Sequence, residues 1–182
     1  MVDERDAEPG PARRLRFERV VGQVYEPLQR YLLRRTDHAT ADDVLGDVLL
    51  VLWRRLDDVP DGEPLPWSYG VARGCLANAR RSAARQERLA ERIARERPSD
   101  PDGDDRLTEA LGALPEADRE LLRLWAWEQL PPREIAVVLG VSANAATIRL
   151  HRAKKRLKSL LVPGKDAHAP GHQGLREGGG AR

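Results

Sequence analysis

The chain has 182 residues, room for one or two small domains, and its 31 basic and 29 acidic side chains leave a net charge of only +2. It is therefore no blanket polycation, and basic character has to be judged by where the charges sit. A single cysteine, Cys75, excludes an internal disulfide and an all-cysteine zinc site, and the four histidines (His38, His151, His168, His172) show no metal-ligand spacing with it.

Residues 1–12 are polar and carry Pro9, Gly10 and Pro11, which predicts a disordered N-terminus. The segment opens on charge (Asp3, Glu4, Arg5, Asp6), and no apolar run approaches a membrane span. We therefore expect a cytoplasmic protein without membrane insertion. Phe17, Val20, Val21, Val24, Leu28, Tyr31 and Leu32 mark an amphipathic helix that Pro27 interrupts. Val44, Leu45, Val48, Leu49, Leu52, Trp53 and Leu56 recur at helical spacing, with Thr40 the expected N-cap and Asp42 and Asp43 the expected first-turn charges.

Pro60 to Pro66 reads as a loop. Trp67, Val71, Cys75, Leu76 and Ala79 then open a third helix, which turns basic at Arg73, Arg80, Arg81 and Arg85, with Cys75 expected as a small apolar core residue. Residues 13–95 thus form a first domain, and the acidic, Pro-containing stretch 96–106 reads as a linker. A second helical block, 107–162, begins with Leu107, Ala110, Leu111 and Leu114. Leu121, Leu122, Leu124 and Trp125 follow, with Trp125 and Trp127 expected at the core and edge of that bundle. The Gly- and Pro-rich tail 163–182 is predicted to be disordered. The predicted fold is all-α, two small bundles joined by a flexible acidic linker.

The most specific signal lies in Pro131–Leu161. Pro131 and Pro132 suit a helix start, Gly140 a left-handed stop, and Ser142 the N-cap of the next helix. Ile135, Val138 and Leu139 face a stripe of Ala146, Leu150, Ala153 and Leu157, which makes a helix-turn-helix. From Val141 to Val162 there are Arg149, Arg152, Lys154, Lys155, Arg156 and Lys158 and no acidic residue. With the stripe buried, Asn144, Ile148, His151, Arg152 and Lys155 point outward, flanked by Thr147 and Arg149. Arg and Asn can read guanine and adenine edges, Lys finds phosphates, and an apolar Ile148 suits a thymine methyl. No nucleophile–base pair, phosphate-cradling glycine loop or metal set is evident, so we expect a DNA-binding protein with neither catalysis nor a cofactor.

Over residues 13–161 these segments resemble the extracytoplasmic-function (group IV) sigma factors of bacterial RNA polymerase. The C-terminal block carries the resemblance in Ala110–Pro115, Arg119-Glu120-Leu121-Leu122, Glu134-Ile135-Ala136, Leu139–Ser142, Asn144-Ala145 and Arg149–Ala153. The N-terminal block carries it in Ala41–Val44, Asp47, Trp53-Arg54, Trp67, Tyr69–Arg73 and Leu76–Asn78. The resemblance implies a region 2 that grips the polymerase clamp through Asp42, Asp43, Asp47 and Arg54. It implies that Asp61, Glu63, Trp67, Tyr69, Arg73, Asn78, Arg80 and Arg81 open the minus-ten element and hold its unpaired strand. It also implies a region 4 that reads the minus-thirty-five duplex and meets the polymerase flap, a linker running toward the RNA exit path, and control by an anti-sigma factor. The chain departs from the family at Gly46, often Gln, at Gly74, often Asn, and at Ala145-Ala146, often Thr-Val. A conventional repressor using only the helix-turn-helix is the main alternative. It has no need of the Trp67-Tyr69-Arg73 block or the acid-flanked helix.

Overall fold

The computed structural model describes residues 10–89 and 105–162. Among these it has seven α-helices, one 3-10 turn and no strand, as the all-α reading requires. Helices α1 (Pro11–Leu33), α2 (His38–Arg54) and α3 (Pro64–Leu89), with the 3-10 turn Leu56–Asp58, make the first bundle. Helices α4 (Asp105–Ala113), α5 (Glu116–Ala126), α6 (Pro132–Leu139) and α7 (Ala143–Leu161) make the second. The expectations for residues 1–9, most of the acidic linker and the tail from 163 lie outside the described residues.

Several boundaries differ from the sequence reading. Helix α1 starts at Pro11 and continues through Pro27 to Leu33. The N-cap of α2 is Asp37, not Thr40: its carboxylate accepts the Thr40 backbone N–H at 3.0 Å and the Thr40 hydroxyl at 2.8 Å. Asp42 and Asp43 consequently fall beyond the first turn. Helix α3 begins at Pro64, so only Pro60–Glu63 is loop. Proline costs nothing at a helix start, where its missing N–H would have no intrahelical partner. Likewise α4 takes in Asp105 and Arg106.

In the first bundle Val24, Leu28, Leu32, Val44, Val48 and Leu52 are fully buried, and each such side chain contributes about 1.5–3 kcal/mol. In the second, Leu121, Leu124, Ile135, Ala146, Leu150 and Ala153 fill the core. Leu107 and Trp125, expected inside, are exposed. The Trp125 ring instead carries the Lys154 ammonium 3.3 Å from its centre, a cation–π contact that keeps an aromatic face useful at the surface.

Arg119 ties α4 to α5. Its guanidinium donates to the carbonyls of Leu111, Gly112 and Leu114 where α4 ends, and the Leu111 carbonyl also accepts the Leu114 N–H at 3.3 Å. The turn between α6 and α7 has the predicted chemistry. Gly140 sits at φ 65°, Val141 N–H closes on the Ala136 carbonyl at 3.0 Å, and the Ser142 hydroxyl accepts the Ala145 N–H.

The two bundles are in contact, and one apolar core runs through both. Helix α6 lies on α3 where Gly70 removes a side chain: a Cβ there would meet the Val138 carbonyl at 3.5 Å.

Candidate nucleic-acid interface

Helix α7 holds its buried stripe against α4, α5 and α6, as the periodicity predicts. That leaves Asn144, Thr147, Ile148, Arg149, His151, Arg152 and Lys155 all exposed. Thr147 donates its hydroxyl back to the Ala143 carbonyl at 2.9 Å and so presents its methyl and lone pairs outward. Two of the basic residues on this helix are already engaged: Lys154 over Trp125, and Arg156 in an ion pair with Asp118. No side-chain partner holds Arg149, Arg152, Lys155 or Lys158 among the described residues. Ala146 is fully buried, so the small residue at that departure from the family pattern lets α7 sit close to its neighbours.

The residues assigned by resemblance to the minus-ten strand are more dispersed. Asp61 is exposed but accepts from Arg16 at 2.9 Å, and Arg16 also donates to the Val59 carbonyl at 3.0 Å. Arg13 donates to Asp57 at 2.9 Å and to the Trp53 carbonyl at 2.8 Å. One face of α1 thus braces the chain from Trp53 to Asp61. No sequence signal marked Arg13 and Arg16, because their partners lie 40 or more positions away.

Glu63 forms an ion pair at 3.8 Å with Arg133 of the second bundle. Trp67 is half-buried under Arg55, in a groove it shares with Gly70, Val71, Arg73 and the end of α6. Tyr69 is buried against Tyr31, ring centres 5.0 Å apart, and burial pushes its hydroxyl pKa up to about 12. In this arrangement Tyr69 faces protein, not solvent. Arg73, Asn78, Arg80 and Arg81 are exposed. Asn78 accepts from Arg81, and Arg80 donates to the Arg35 carbonyl at 2.9 Å.

On α2, Asp42, Asp43 and Asp47 line an open groove whose apolar floor is Phe17, Leu49, Leu50 and Trp53, with Gly46 between the acids. Arg54 is exposed at the end of the same helix. Trp53 packs edge-on against Phe17 at 5.0 Å and also forms part of the groove wall. Cys75 is half-buried, and burial, with the Asp47 charge second, raises its thiol pKa, so it is held as a thiol.

Sequence reasoning also missed an ionic cluster where the bundles meet. Arg35, its side chain 2% exposed, pairs with Glu120 at 3.3 Å and with Glu128 at 3.0 Å. Arg34 joins Glu128 at 2.8 Å. The Tyr31 hydroxyl donates to Glu120 at 3.1 Å, while the Arg35 guanidinium stacks 3.6 Å from the centre of the Tyr31 ring. Burial, followed by the Glu120 charge, raises the Tyr31 pKa well above the ordinary phenol value. Nearby, burial and the Arg35 charge lower the Arg123 pKa, and its Nε has no hydrogen-bond partner. No group of three or more His, Cys, Asp or Glu among the described residues has a metal-binding arrangement, and no described helix is long and apolar enough to cross a membrane.

Comparison with known proteins agrees with this geometry. Residues 17–86 match the sigma-70 region 2 family model, and residues 104–157 match the sigma-70 region 4 model. The chain is 31% identical over 157 residues to the RNA polymerase sigma-E factor of Streptomyces coelicolor, covering 81% of this chain and 87% of that one. It is 32% identical over 139 residues to the ECF RNA polymerase sigma factor SigD of Mycobacterium tuberculosis, covering 70% and 66% respectively. Among solved structures, the sigma factor RpoE of Bartonella quintana, in complex with the anti-sigma factor NepR, superposes with a TM-score of 0.61 at 22% identity, over 80% of this chain and 96% of that one. Two helical bundles in this order, with a basic helix-turn-helix in the second and matches to both regions, make the chain a member of the extracytoplasmic-function sigma factors of the sigma-70 family.

Proposed function

We propose that this chain binds core RNA polymerase through the α2 groove, reads the minus-thirty-five duplex with α7, and holds the opened minus-ten strand with the loop at Asp61–Glu63 and the stretch of α3 from Trp67 to Arg81. The observation that carries the reading is α7 itself: an acid-free helix, anchored by a buried stripe, with seven candidate contact residues all facing outward. A helix presented in this way enters a major groove, where Arg and Asn side chains find base edges and Lys finds phosphates. The Asp42–Asp43–Asp47 groove offers a polymerase both charge and apolar floor, the mixture common at protein interfaces. Arg73, Arg80 and Arg81 supply the basic track that a displaced strand requires.

We also infer an anti-sigma partner. The RpoE chain that this protein resembles in fold is held in such a complex, and the apolar groove floor and exposed α7 face are surfaces a competitor for polymerase or DNA would cover. The test is run-off transcription with core polymerase over a library of promoters varied at both elements. The expected result is transcription that depends on this chain and on both elements. Transcription that ignores the upstream element would refute the assignment to α7, and failure to bind core would refute the assignment to the α2 groove.

A further inference from the structure

We infer that Arg16 of α1 fixes the Asp61 carboxylate as a hydrogen-bond acceptor for the exocyclic amino group of an unpaired base, so that the loop rejects thymine at one position of the minus-ten strand. The inference rests on the strand-holding role proposed above for this loop and adds to it a reader, a positioning residue and the class of base that fits. From Asp57 to Glu63 the chain carries four carboxylates and no basic residue. A bare acidic loop would repel the phosphates of a DNA strand. Here each of the four has an arginine partner: Asp57 has Arg13 and Arg16, Asp58 has Arg55, Asp61 has Arg16, and Glu63 has Arg133. The acids are neutralised as a set, and what they keep is the capacity to accept hydrogen bonds.

Asp61 is the one best placed to meet a base. Its side chain is 91% exposed, the most open of the four. Arg16 donates to its Oδ1 at 2.9 Å, and Oδ2 has no partner among the described residues. An exposed ion pair alone would not hold a carboxylate still. Arg16, however, is held independently of Asp61: its guanidinium also donates to the Val59 carbonyl at 3.0 Å and reaches Asp57 at 3.5 Å. Serving a carboxylate and a carbonyl at once is what the planar fork of arginine allows and a lysine ammonium does not. Arg13, one helical turn earlier, holds the same stretch through Asp57 and the Trp53 carbonyl. Beneath, Leu56 and Val59 are buried in the core, and Pro60 fixes φ immediately before Asp61. The backbone and the cation beside Asp61 are therefore both set before a strand arrives.

A carboxylate accepts hydrogen bonds and donates none. Cytosine, adenine and guanine each carry an exocyclic amino group able to donate to Oδ2. Thymine carries none, and its single ring N–H lies between two carbonyl oxygens that repel the carboxylate. An unpaired base exposes these groups because no partner strand covers them.

The test measures binding of holoenzyme, core polymerase with this chain, to forked DNA whose non-template minus-ten strand is unpaired, with each base placed at each position in turn. At one position thymine should bind about tenfold more weakly than cytosine, the lower end of what one base contact discriminates. Asp61→Asn, whose amide can donate to a thymine carbonyl, should abolish that difference. Arg16→Gln should shrink it. The double variant Arg16→Gln/Asp61→Asn should show no base effect beyond that of Asp61→Asn, because both residues act through one contact. A brace that only stabilised the loop would add its effect to that of Asp61 and weaken all bases alike. Arg30→Gln is the control: Arg30 pairs with Glu26 and lies about 21 Å along α1 from Arg16 at 1.5 Å per residue, so the profile should not change. Should Arg16→Gln fail to fold, Asp61→Asn, in an exposed loop, decides alone. The inference is overturned, and the strand-holding role left in place, by a profile with no position that disfavours thymine, by unchanged discrimination in Asp61→Asn, or by additive effects in the double variant. Holoenzyme that binds no forked DNA, whatever its sequence, would refute that role and the inference with it.

Discussion

Replacing Gly46 by alanine isolates what that departure from the family pattern does. Glycine inside a helix costs roughly 0.5–1 kcal/mol relative to alanine, because the unfolded chain has more freedom to lose. A Cβ built at Gly46 meets nothing within 4 Å, and the residue is exposed in the middle of α2, so neither packing nor backbone conformation offsets the gain. Gly46→Ala should raise stability by about 0.5–1 kcal/mol, equivalent to about 2–8 °C in Tm for a bundle of this size. Gly74→Ala, equally open, should do the same, and serves as a control on a different helix. The two differ in function, because Gly46 lies among the acids of the α2 groove and Gly74 does not. Urea denaturation measures the stability change, and titration with labelled core polymerase measures docking. The expected outcome is that both variants are stabilised and only Gly46→Ala changes core affinity. Destabilisation by Gly46→Ala would show that α2 packs differently there. Equal core affinity for the two variants would remove the groove from the polymerase interface.

The Asp37 carboxylate accepts two hydrogen bonds from Thr40, which hold its pKa below the ordinary value. Its contribution is present above the unfolded aspartate value near 3.9 and is lost as pH falls through the lowered folded value. Chemical denaturation from pH 7 to pH 2 should show the stability deficit of Asp37→Ala shrinking over that acid range, and a deficit independent of pH would refute the cap. Arg152→Ala and Arg149→Ala should both weaken promoter use. The one that reads a base should relax preference at one position by about 1–3 kcal/mol, and the one that holds phosphate should weaken all sequences alike. A binding screen over variant upstream elements separates the two, and full activity of both variants on every sequence would refute the reading face. Arg16→Gln should loosen the loop at Val59–Asp61 and flatten base preference at the minus-ten element, with Arg16→Lys restoring part of it. Permanganate footprinting with unchanged preference would show that the brace has no part in recognition.

Local chemistry was legible in the sequence where it is short in range. The 3.6-residue stripe of α7, the Gly140 stop and the Ser142 cap depend on neighbours within five positions, and each stands where the pattern put it. Cap assignments failed where two acceptors competed: Asp37 and Thr40 both suit an N-cap, and only the backbone direction chooses Asp37. Trp125 looked like core because tryptophan is large and apolar, yet Lys154, 29 positions away, gives it a reason to stay outside. The Arg35 cluster was invisible for the same reason on a larger scale. Its partners are 85 and 93 positions distant, and nothing in the periodicity of α1 or α5 marks them.

The two engaged cations of α7 alter how its DNA affinity should respond to ions. Six basic side chains on the helix suggest six displaced counterions, but Lys154 is committed to an indole ring and Arg156 to Asp118. Only Arg149, Arg152, Lys155 and Lys158 are left to neutralise phosphates, and one of these arginines is claimed for a base edge. Each phosphate neutralised on duplex DNA contributes about 0.9 to the logarithmic dependence of affinity on salt concentration. The contribution of α7 is then a slope of about −3, not the −5 that counting charges would give. A doubling of salt then costs α7 about eightfold in affinity, where a slope of −5 would cost about thirtyfold, so base-edge contacts carry a larger share of its hold on the promoter than the count of charges suggests.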